Sequence, residues 1–163
     1  MDGTGNSAEF SRIPTLDDLA ELCRNLNNHQ VKYVVIGGFA VIHSGYVRAT
    51  GDIDILVDPV EDNIRKIKKA LAYIKDGCVE DIGPGDIADY SVVRICGEIT
   101  VDILGKACDV DYKMADKRDG IKYEIINGVE VPFLSAHLLI KTKQGSRPKD
   151  IQDRMFLERL IKG

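Results

Sequence analysis

The chain has 163 residues, of which 44% are hydrophobic and 29% charged, an ordinary composition for a globular protein. Its formal net charge of -4 disfavours a general nucleic-acid binder, because binding along a phosphate backbone needs a basic surface. The four cysteines lack CxxC spacing, which disfavours a zinc site, and no run approaches the about 18 apolar residues that indicate a membrane span. With free thiols and no export signal, we expect a protein of the cytoplasm.

The first half of the chain predicts helices alternating with short strands. Residues 1–14 are expected to form a disordered lead-in, and residues 15–163 a single domain. Thr15 and Asp18 have the spacing of a capping box, and the apolar residues that follow recur at helical spacing. The elements expected next, in chain order, are a buried strand at 31–36, a helix at 39–44, a strand at 52–58 and a helix at 61–74.

The second half predicts two hairpins and two helices, with residues 105–120 left unassigned. The first hairpin joins strands 90–96 and 99–104 at Gly97-Glu98, and the second joins strands 123–126 and 129–133 at Asn127-Gly128. One helix is expected from Ser135 to about 144, and a last helix begins at Pro148. This order predicts an α/β (α+β) fold, in which helices flank a mixed sheet.

Asp52 and Asp54 flank Ile53 in the second predicted strand and are the most informative feature of the sequence. Residues two apart in a strand point to the same face, so the two carboxylates emerge side by side, about 6.6–7 Å apart. Like charges repel, and Mg²⁺ is usually held by one or two carboxylates together with substrate phosphates. A solvated edge strand is the alternative, but the apolar residues around the pair favour burial.

Asp102 is the only charged residue in the apolar strand predicted at 99–104. Because an unpaired buried charge is unfavourable, this carboxylate is expected either to face water at the strand end or to join a polar site. If strand 99–104 lies beside strand 52–58, the three carboxylates converge. The sequence then predicts a site for Mg²⁺ (or Mn²⁺) ions held by Asp52, Asp54 and Asp102.

Gly37 and Gly38 lie directly after the first predicted strand and before a short helix. Glycines allow backbone N–H groups to approach a phosphate closely, and the start of a helix favours negative charge. A simple tight turn is the other interpretation. The two glycines alone fit both interpretations.

Taken together, these motifs show a resemblance to a known family. The Gly37-Gly38 pair, nine further residues and then Arg48-x-Thr50-x-Asp52-Ile53-Asp54 are similar to the signature of the nucleotidyltransferase superfamily that includes DNA polymerase β. The similarity is strongest to the AbiEii-type, toxin-associated minimal nucleotidyltransferases. A later segment, Ser135…Lys141…Arg147-x-Lys149-Asp150-x-x-Asp153, resembles the tail of that branch.

The resemblance implies a polymerase β-like fold and transfer of a nucleoside monophosphate from an NTP to a hydroxyl, with release of pyrophosphate. It implies that Asp52 and Asp54 coordinate two divalent metals, that Asp102 binds the catalytic metal and helps to activate the acceptor, and that Gly37 and Gly38 hold the triphosphate. Two departures are evident. Many members have Gly-Ser in place of this Gly-Gly pair, and a second, acceptor-binding domain is not expected in this chain.

Three further side chains are candidates for the nucleotide site. Thr50 shares the strand parity of the carboxylates, so it is expected to face the same cleft or to start the strand with a hydroxyl bond. Arg48 is expected to pair with Asp52 or to contact phosphate. Lys141 is the best phosphate candidate of the basic segment 141–149, because its helix is otherwise apolar, and an ordinary snorkelling lysine is the alternative.

The sequence does not name the acceptor, since a protein side chain, an RNA end and a small alcohol all carry a suitable hydroxyl. We expect an acceptor site that is small or is completed by a homo-oligomer or a partner protein, with no membrane involved. A second hypothesis is a catalytically degenerate nucleotide-binding domain in a toxin–antitoxin-like complex, and a third is a plain metal-binding or interaction domain. The trio Asp52, Asp54 and Asp102 favours the enzyme, since a degenerate copy has no reason to keep all three.

Overall fold

A computed structural model describes residues 11–163 of the chain. Residues 1–10 of the predicted lead-in lie outside the described residues. Ser11 and Arg12, from the same predicted segment, contact the turn between two strands: the Ser11 hydroxyl donates to the Gly97 carbonyl at 2.7 Å, and the Arg12 N–H to that of Glu98 at 3.0 Å. The assignment of one domain to residues 15–163 stays a prediction.

Helices and short strands alternate along the described part of the chain. The helices are α1 (Leu16–Asn28), α2 (Gly37–His43), α3 (Glu61–Leu71), α4 (Asp86–Asp89), α5 (Tyr112–Ala115), α6 (Ala136–Leu139) and α7 (Pro148–Lys162). The strands are β1 (Tyr33–Ile36), β2 (Ile53–Val57), β3 (Val93–Cys96), β4 (Thr100–Leu104), β5 (Lys106–Ala107), β6 (Val110–Asp111), β7 (Ile121–Ile126) and β8 (Val129–Leu134). Within residues 11–163, no helix has the length and apolar character needed to cross a membrane.

Six of the strands form one mixed sheet in the order β3-β4-β2-β1-β8-β7. β2 runs antiparallel to β1 and parallel to β4, and β8 pairs parallel with β1. The outer strands β3 and β7 each run antiparallel to their neighbour, while β5 and β6 form a separate small sheet. The predicted mixed α/β fold with a helix-flanked sheet is confirmed, as is the placement of strand 99–104 beside strand 52–58.

The centre of the sheet is buried because its residues are almost all apolar. Every residue of β1 is buried, and Ile53 and Ile55 of β2 have no exposed surface. Helix α1 packs against α3 and β8, and α2 packs against β1 and β2. Because side chains alternate along a strand, burial of Ile53 and Ile55 in the core directs Asp54 to the opposite face.

The last helix, α7, differs from its sequence-based interpretation. Three of its four predicted apolar residues, Ile151, Met155 and Leu160, are between 39% and 48% exposed, and only the fourth, Leu157, is buried. The buried side of the helix otherwise carries two aspartates. Ion pairs, described below for the site, therefore anchor α7 together with the buried Leu157 and the stacking of Phe156 on Tyr46.

Three segments differ in detail from the sequence-based expectation. Helix α2 begins at Gly37, earlier than expected, because this glycine adopts a φ of +67° and turns the chain directly out of β1. The helix predicted to end near residue 144 is the short α6 followed by a 3₁₀ turn at Ile140–Thr142. The unassigned segment 105–120 contains β5, β6 and α5.

Candidate active site

Three carboxylates meet at the centre of the sheet. Asp54 in β2 lies opposite Asp102 in β4 in the parallel register, and Asp52 stands two residues before Asp54, at the start of the same strand. Each of the three offers an oxygen atom, and these oxygens all lie within 4.8 Å of one another. The structure thus brings together the three carboxylates that the sequence analysis selected.

This set of donors fits a hard divalent cation. Mg²⁺ and Mn²⁺ prefer carboxylate oxygens, and Mg²⁺–oxygen bonds are about 2.0–2.1 Å long. Oxygens within 4.8 Å of one another need only small side-chain rotations to share an ion. The trio Asp52, Asp54 and Asp102 is therefore compatible with divalent metal binding.

Burial and nearby negative charge raise the pKa values of two of the three carboxylates, Asp52 and Asp54. Burial raises the pKa of Asp54 to about 7, and the charges of Asp52 and Asp102 act in the same direction. The pKa of Asp52 is also raised, first by burial and then by the charge of Asp102. Raised carboxyl pKa values mean that the folded protein disfavours the fully ionised cluster. A bound divalent cation would reverse this preference.

The metal-free protein is expected to lose stability as the pH rises from about 4 to 8. The pKa of Asp54 is about 7 in the folded protein against an ordinary value of 3.8, so the folded state holds this proton more tightly than the unfolded state. Its contribution to stability is fully present below the unfolded pKa and is lost as the pH rises through the folded pKa. Urea midpoints measured in EDTA across this range report the slope. The slope should flatten in Asp54→Asn, and an identical slope in both proteins would contradict the assignment.

Arg94 is the principal site residue that the sequence analysis missed. It lies in β3 opposite Asp102, and its Nε and one terminal nitrogen donate to the two oxygens of that carboxylate at 2.7 and 2.9 Å. The same terminal nitrogen is 3.4 Å from an oxygen of Asp52. The Arg94 side chain is half exposed, whereas Asp102 is buried. Arg94 therefore adds a positive charge to the trio and occupies both oxygens of Asp102.

The sequence could have indicated the pairing of Arg94 with Asp102 only if the register of the β3–β4 hairpin had been known. With a two-residue turn at Gly97-Glu98, Arg94 would lie opposite Val101. In the structure the turn contains three residues, and Arg94 faces Asp102 instead. A shift of one residue changes the cross-strand partner and the face of every side chain, so the approximate hairpin position did not reveal the pair.

Gly37 and Gly38 pass close to the carboxylates. β1 ends at Ile36, which pairs with Asp54 in the antiparallel register, so the next residues run alongside that carboxylate. A Cβ atom on Gly37 would overlap the Asp54 carboxylate, and one on Gly38 would overlap the side chain of Thr50. Close packing therefore requires glycine at both positions, and it places their backbone at the border of the site.

We expect Gly37→Ala to destabilise the protein more than an alanine substitution does at an ordinary glycine with a positive φ. Gly37 combines a φ of +67° with the overlap on Asp54, whereas Gly128 has a φ of +77° and no atom within 4 Å of an added Cβ. Gly128→Ala is therefore the matched control, with a loss of about 1–2 kcal/mol from backbone strain alone. We expect Gly37→Ala to lose a further 1–3 kcal/mol, roughly the cost of overpacking, in urea unfolding. Equal losses would show that Asp54 moves aside freely.

The other side of the site is basic and is tied to α7 by ion pairs. Two guanidinium nitrogens of Arg48 donate to the two oxygens of Asp153, each at 2.9 Å. The Lys143 ammonium lies 3.1 Å from an oxygen of Asp153 and 3.9 Å from one of Asp150. Asp153 has no exposed surface. These contacts attach the start of α7 to the segment that precedes β2.

The structure places the remaining candidate residues differently. Arg48 forms a structural ion pair, but its partner is not the predicted Asp52. The Thr50 hydroxyl donates to the main-chain oxygen of Asp52 at 3.2 Å and so supports the start of β2. Lys141 is exposed and lies outside the group of residues that line the site, whereas the buried Lys143 lines it.

The carboxylates and the basic residues border one cleft of about 320 Å³, here called the carboxylate cleft. Its lining residues are Ile36, Gly37, Gly38, Arg48, Thr50, Asp52, Asp54, Val92, Arg94, Asp102, Leu104, Ala107, Thr142, Lys143, Arg147, Lys149 and Asp150. Arg147 and Lys149 come from the start of α7 and are exposed. The cleft therefore combines a place for a cation with positive side chains suited to an anionic group.

A second cleft of about 900 Å³ adjoins the first and is here called the apolar cleft. It lies among residues 58–60, 87–91, 104–108 and 111–113. The two clefts adjoin, since five residues line both: Leu104, Ala107, Thr142, Arg147 and Asp150.

Comparisons with known proteins agree with this architecture. The structure resembles that of an antigenic nucleotidyltransferase-like protein from Paracoccidioides brasiliensis, with a TM-score of 0.54 and 19% identity over 89% of this chain and 76% of that one. A candidate nucleotidyltransferase from Thermotoga maritima gives a TM-score of 0.53 and 18% identity, covering 94% and 92% of the two chains. The chain has a nucleotidyltransferase-like fold.

This fold assignment comes from structure alone. No family model matches the sequence, and no curated protein matches it. This fold is the one that the resemblance carried by Gly37-Gly38 and the carboxylates implies, and membership of the superfamily stays a prediction. The narrower similarity to the AbiEii-type branch stays a prediction.

Proposed function

We propose that this protein is a metal-dependent nucleotidyltransferase, which moves a nucleoside monophosphate from an NTP to a hydroxyl group and releases pyrophosphate. One observation carries the proposal: three carboxylates lie within 4.8 Å of one another in a cleft that also contains a glycine pair and several cationic side chains. Structural metal sites do not need the cationic side chains, and a plain anion site does not need the carboxylates. A metal–triphosphate complex uses both.

The roles of the carboxylates follow from their placement. Asp52, Asp54 and Asp102 would hold Mg²⁺ or Mn²⁺, which when bound stabilises the charges on the attacking and leaving oxygens. Asp102 belongs to β4, the strand that leads into the apolar cleft, and so is suited to receive the proton of an acceptor hydroxyl. Thr50 and the ion pair between Arg48 and Asp153 keep the start of β2 and its surroundings in position.

The basic side of the cleft would bind the triphosphate. The backbone of Gly37 and Gly38 borders the cleft closely enough to approach phosphate oxygens. Lys143, rather than the exposed Lys141, lines the cleft, and Arg147 extends the same positive surface. Cationic side chains at these positions offset the charge that collects on departing pyrophosphate.

A second candidate function is a nucleotide-binding domain without catalytic activity, and Arg94 is the observation that favours it. Its guanidinium occupies both oxygens of Asp102 and neutralises part of the trio without a metal. If Arg94 never leaves Asp102, its positive charge opposes the binding of a cation by that carboxylate. Such a domain would bind nucleotide through its basic side and act with a partner, as in the toxin–antitoxin-like hypothesis.

The decisive experiment is to incubate the pure protein with α-³²P-labelled NTPs, Mg²⁺ or Mn²⁺ and cell lysate. Label should appear on an acceptor while unlabelled pyrophosphate is released, whereas the label of γ-labelled NTP should leave in pyrophosphate and should not reach the acceptor. Asp54→Asn should abolish transfer, and Asp62→Asn, which alters a surface carboxylate of α3, should not. Nucleotide binding without pyrophosphate release would favour the second candidate, and absence of binding would contradict both.

A further inference from the structure

We propose that the apolar cleft is the acceptor site, and that the acceptor is a small molecule that carries its hydroxyl on a planar, ring-bearing body. This inference rests on the proposed nucleotidyltransferase function and assigns the substrate class that the function leaves open. It is carried by the position, size, lining and charge of the apolar cleft.

The apolar cleft and the glycine pair lie on opposite sides of the carboxylates. β1 runs antiparallel to β2 with Ile36 opposite Asp54, so Gly37 and Gly38 lie toward the beginning of β2. β4 runs parallel to β2, and its end at Leu104 opens into the apolar cleft, beyond Asp102. In phosphoryl transfer the attacking and leaving oxygens lie roughly in line on opposite sides of the phosphorus. With pyrophosphate on the glycine side, the attacking hydroxyl comes from the apolar cleft.

The size and lining of the apolar cleft fit a small organic molecule. Ligand sites usually measure about 300–1,000 Å³ and are mostly apolar with a few polar groups, and this cleft measures about 900 Å³. Ile87 and Pro59 contribute apolar surface, and Tyr90 and Tyr112 contribute aromatic rings. Tyr90 is 64% exposed, so its side chain is accessible to a ligand. Aromatic faces favour flat rings as partners.

The charges of the apolar cleft disfavour a polynucleotide acceptor. Its charged lining residues are four acidic ones, Asp58, Asp89, Asp111 and Asp150, and three basic ones, Lys106, Lys113 and Arg147, so it has no excess of positive charge. The whole chain has a formal net charge of -4. An RNA end would bring several phosphates and would need a basic surface along its path.

The reaction balances without a further reactant. The acceptor oxygen forms a bond to the α-phosphorus, and the bond between that phosphorus and the bridging oxygen of the β-phosphate breaks. The electron pair leaves with pyrophosphate, and the hydroxyl proton passes to Asp102 or to water. The product is a phosphodiester between the nucleoside and the ring-bearing alcohol.

The first test measures binding to the apolar cleft without metal or nucleotide. Benzyl alcohol serves as the probe, and saturation-transfer NMR detects its contact with the full chain. Ala88 is exposed and lines the apolar cleft, so Ala88→Trp can fill the cleft without disturbing the core. Ala72 is equally exposed at the end of α3 and lines neither cleft, so Ala72→Trp is the matched control. We expect the signal in wild type and Ala72→Trp and at least a tenfold weaker signal in Ala88→Trp.

The second test measures transfer. Wild type incubated with α-labelled ATP, Mn²⁺ and benzyl alcohol should form the labelled benzyl ester of AMP, in competition with hydrolysis of ATP to AMP. Ala88→Trp should reduce ester formation at least tenfold, while hydrolysis and the melting shift caused by a non-hydrolysable ATP analogue with Mn²⁺ stay at wild-type levels. Ala72→Trp should match wild type in every measurement.

Four results would overturn the inference. In the first, Ala88→Trp leaves binding of the probe intact. In the second, that variant loses binding of the ATP analogue, which would make the apolar cleft the nucleoside site. In the third and fourth, label reaches an RNA oligonucleotide but no ring-bearing alcohol, or it reaches a protein alone. If benzyl alcohol binds as expected but wild type neither binds nor cleaves ATP, the proposed nucleotidyltransferase function fails while the apolar cleft remains a site for ring compounds.

Discussion

Asp54→Asn is expected to raise the melting temperature of the metal-free protein at pH 8 and to remove most of its response to Mg²⁺. At that pH the wild-type carboxylate, whose pKa is about 7, is largely ionised beside Asp52 and Asp102. At an effective dielectric constant of about 20, two like charges 5 Å apart cost roughly 3 kcal/mol, and Arg94 offsets part of this. A net gain of about 1–2 kcal/mol corresponds to about 2–8 °C for a chain of this size. Thermal melts of the two proteins in EDTA measure this difference in melting temperature.

The same melts with millimolar Mg²⁺ complete the test. Metal that binds only the folded state should stabilise wild type by up to about 4 kcal/mol when its concentration is a thousand times the Kd. The melting temperature of Asp54→Asn should shift little on addition of Mg²⁺. At pH 5 the two metal-free proteins should have similar melting temperatures, because Asp54 is then protonated. A structural Asp54 predicts the reverse: the variant would be less stable without metal and would keep the full response to Mg²⁺.

Arg94→Met is expected to lower the stability of the metal-free protein at pH 8 and to increase its affinity for Mn²⁺. Removing the guanidinium leaves the buried Asp102 without its two strongest hydrogen bonds and leaves the trio with three uncompensated charges. Breaking a fully buried ion pair costs about 3–5 kcal/mol, and the half-exposed Arg94 should cost less, about 1–3 kcal/mol. The freed oxygens of Asp102 then bind metal without first releasing Arg94.

Arg65→Met is the matched control for that experiment. Arg65 pairs with Glu61 and Asp62 on the surface of α3, where exposed pairs contribute about 0–1 kcal/mol. Denaturant unfolding in EDTA compares the two variants, and titration with Mn²⁺ by electron paramagnetic resonance measures affinity. Weaker Mn²⁺ binding in Arg94→Met would show that Arg94 orients Asp102 for the metal instead of competing with it.

Much of the central fold and the trio could be predicted because their signals are local. A β-branched run predicted β1, alternation of apolar and polar residues predicted β2, Asn127-Gly128 predicted the β7–β8 hairpin, and the Thr15–Asp18 spacing predicted the cap of α1. Alternation along a strand placed Asp52 and Asp54 on one face. Only one non-local assumption, that β4 lies beside β2, was needed to add Asp102.

The basic side of the site could not be predicted because its contacts are non-local. Arg48 and Asp153 are separated by 105 residues, and nothing near either residue in the sequence indicates their pairing. A regular helix through residue 141 made Lys141 the favoured lysine. The chain instead changes to a 3₁₀ turn after Leu139, which alters the direction of the following side chains and brings Lys143 to the carboxylate cleft.

The strand order also determines when each part of the site can form during synthesis. The carboxylate trio requires the parallel pairing of β2 with β4, so a nascent chain cannot assemble it before residue 104 has left the ribosome. The partners of Arg48 and Lys143 lie in α7, which is made after every strand of the sheet. Parallel and long-range pairings form slowly, and chains generally fold from the N-terminal side during synthesis. The acidic half of the site can therefore form on a growing chain before the basic half, and Arg94 of β3, made before Asp102, is already present to offset part of its charge.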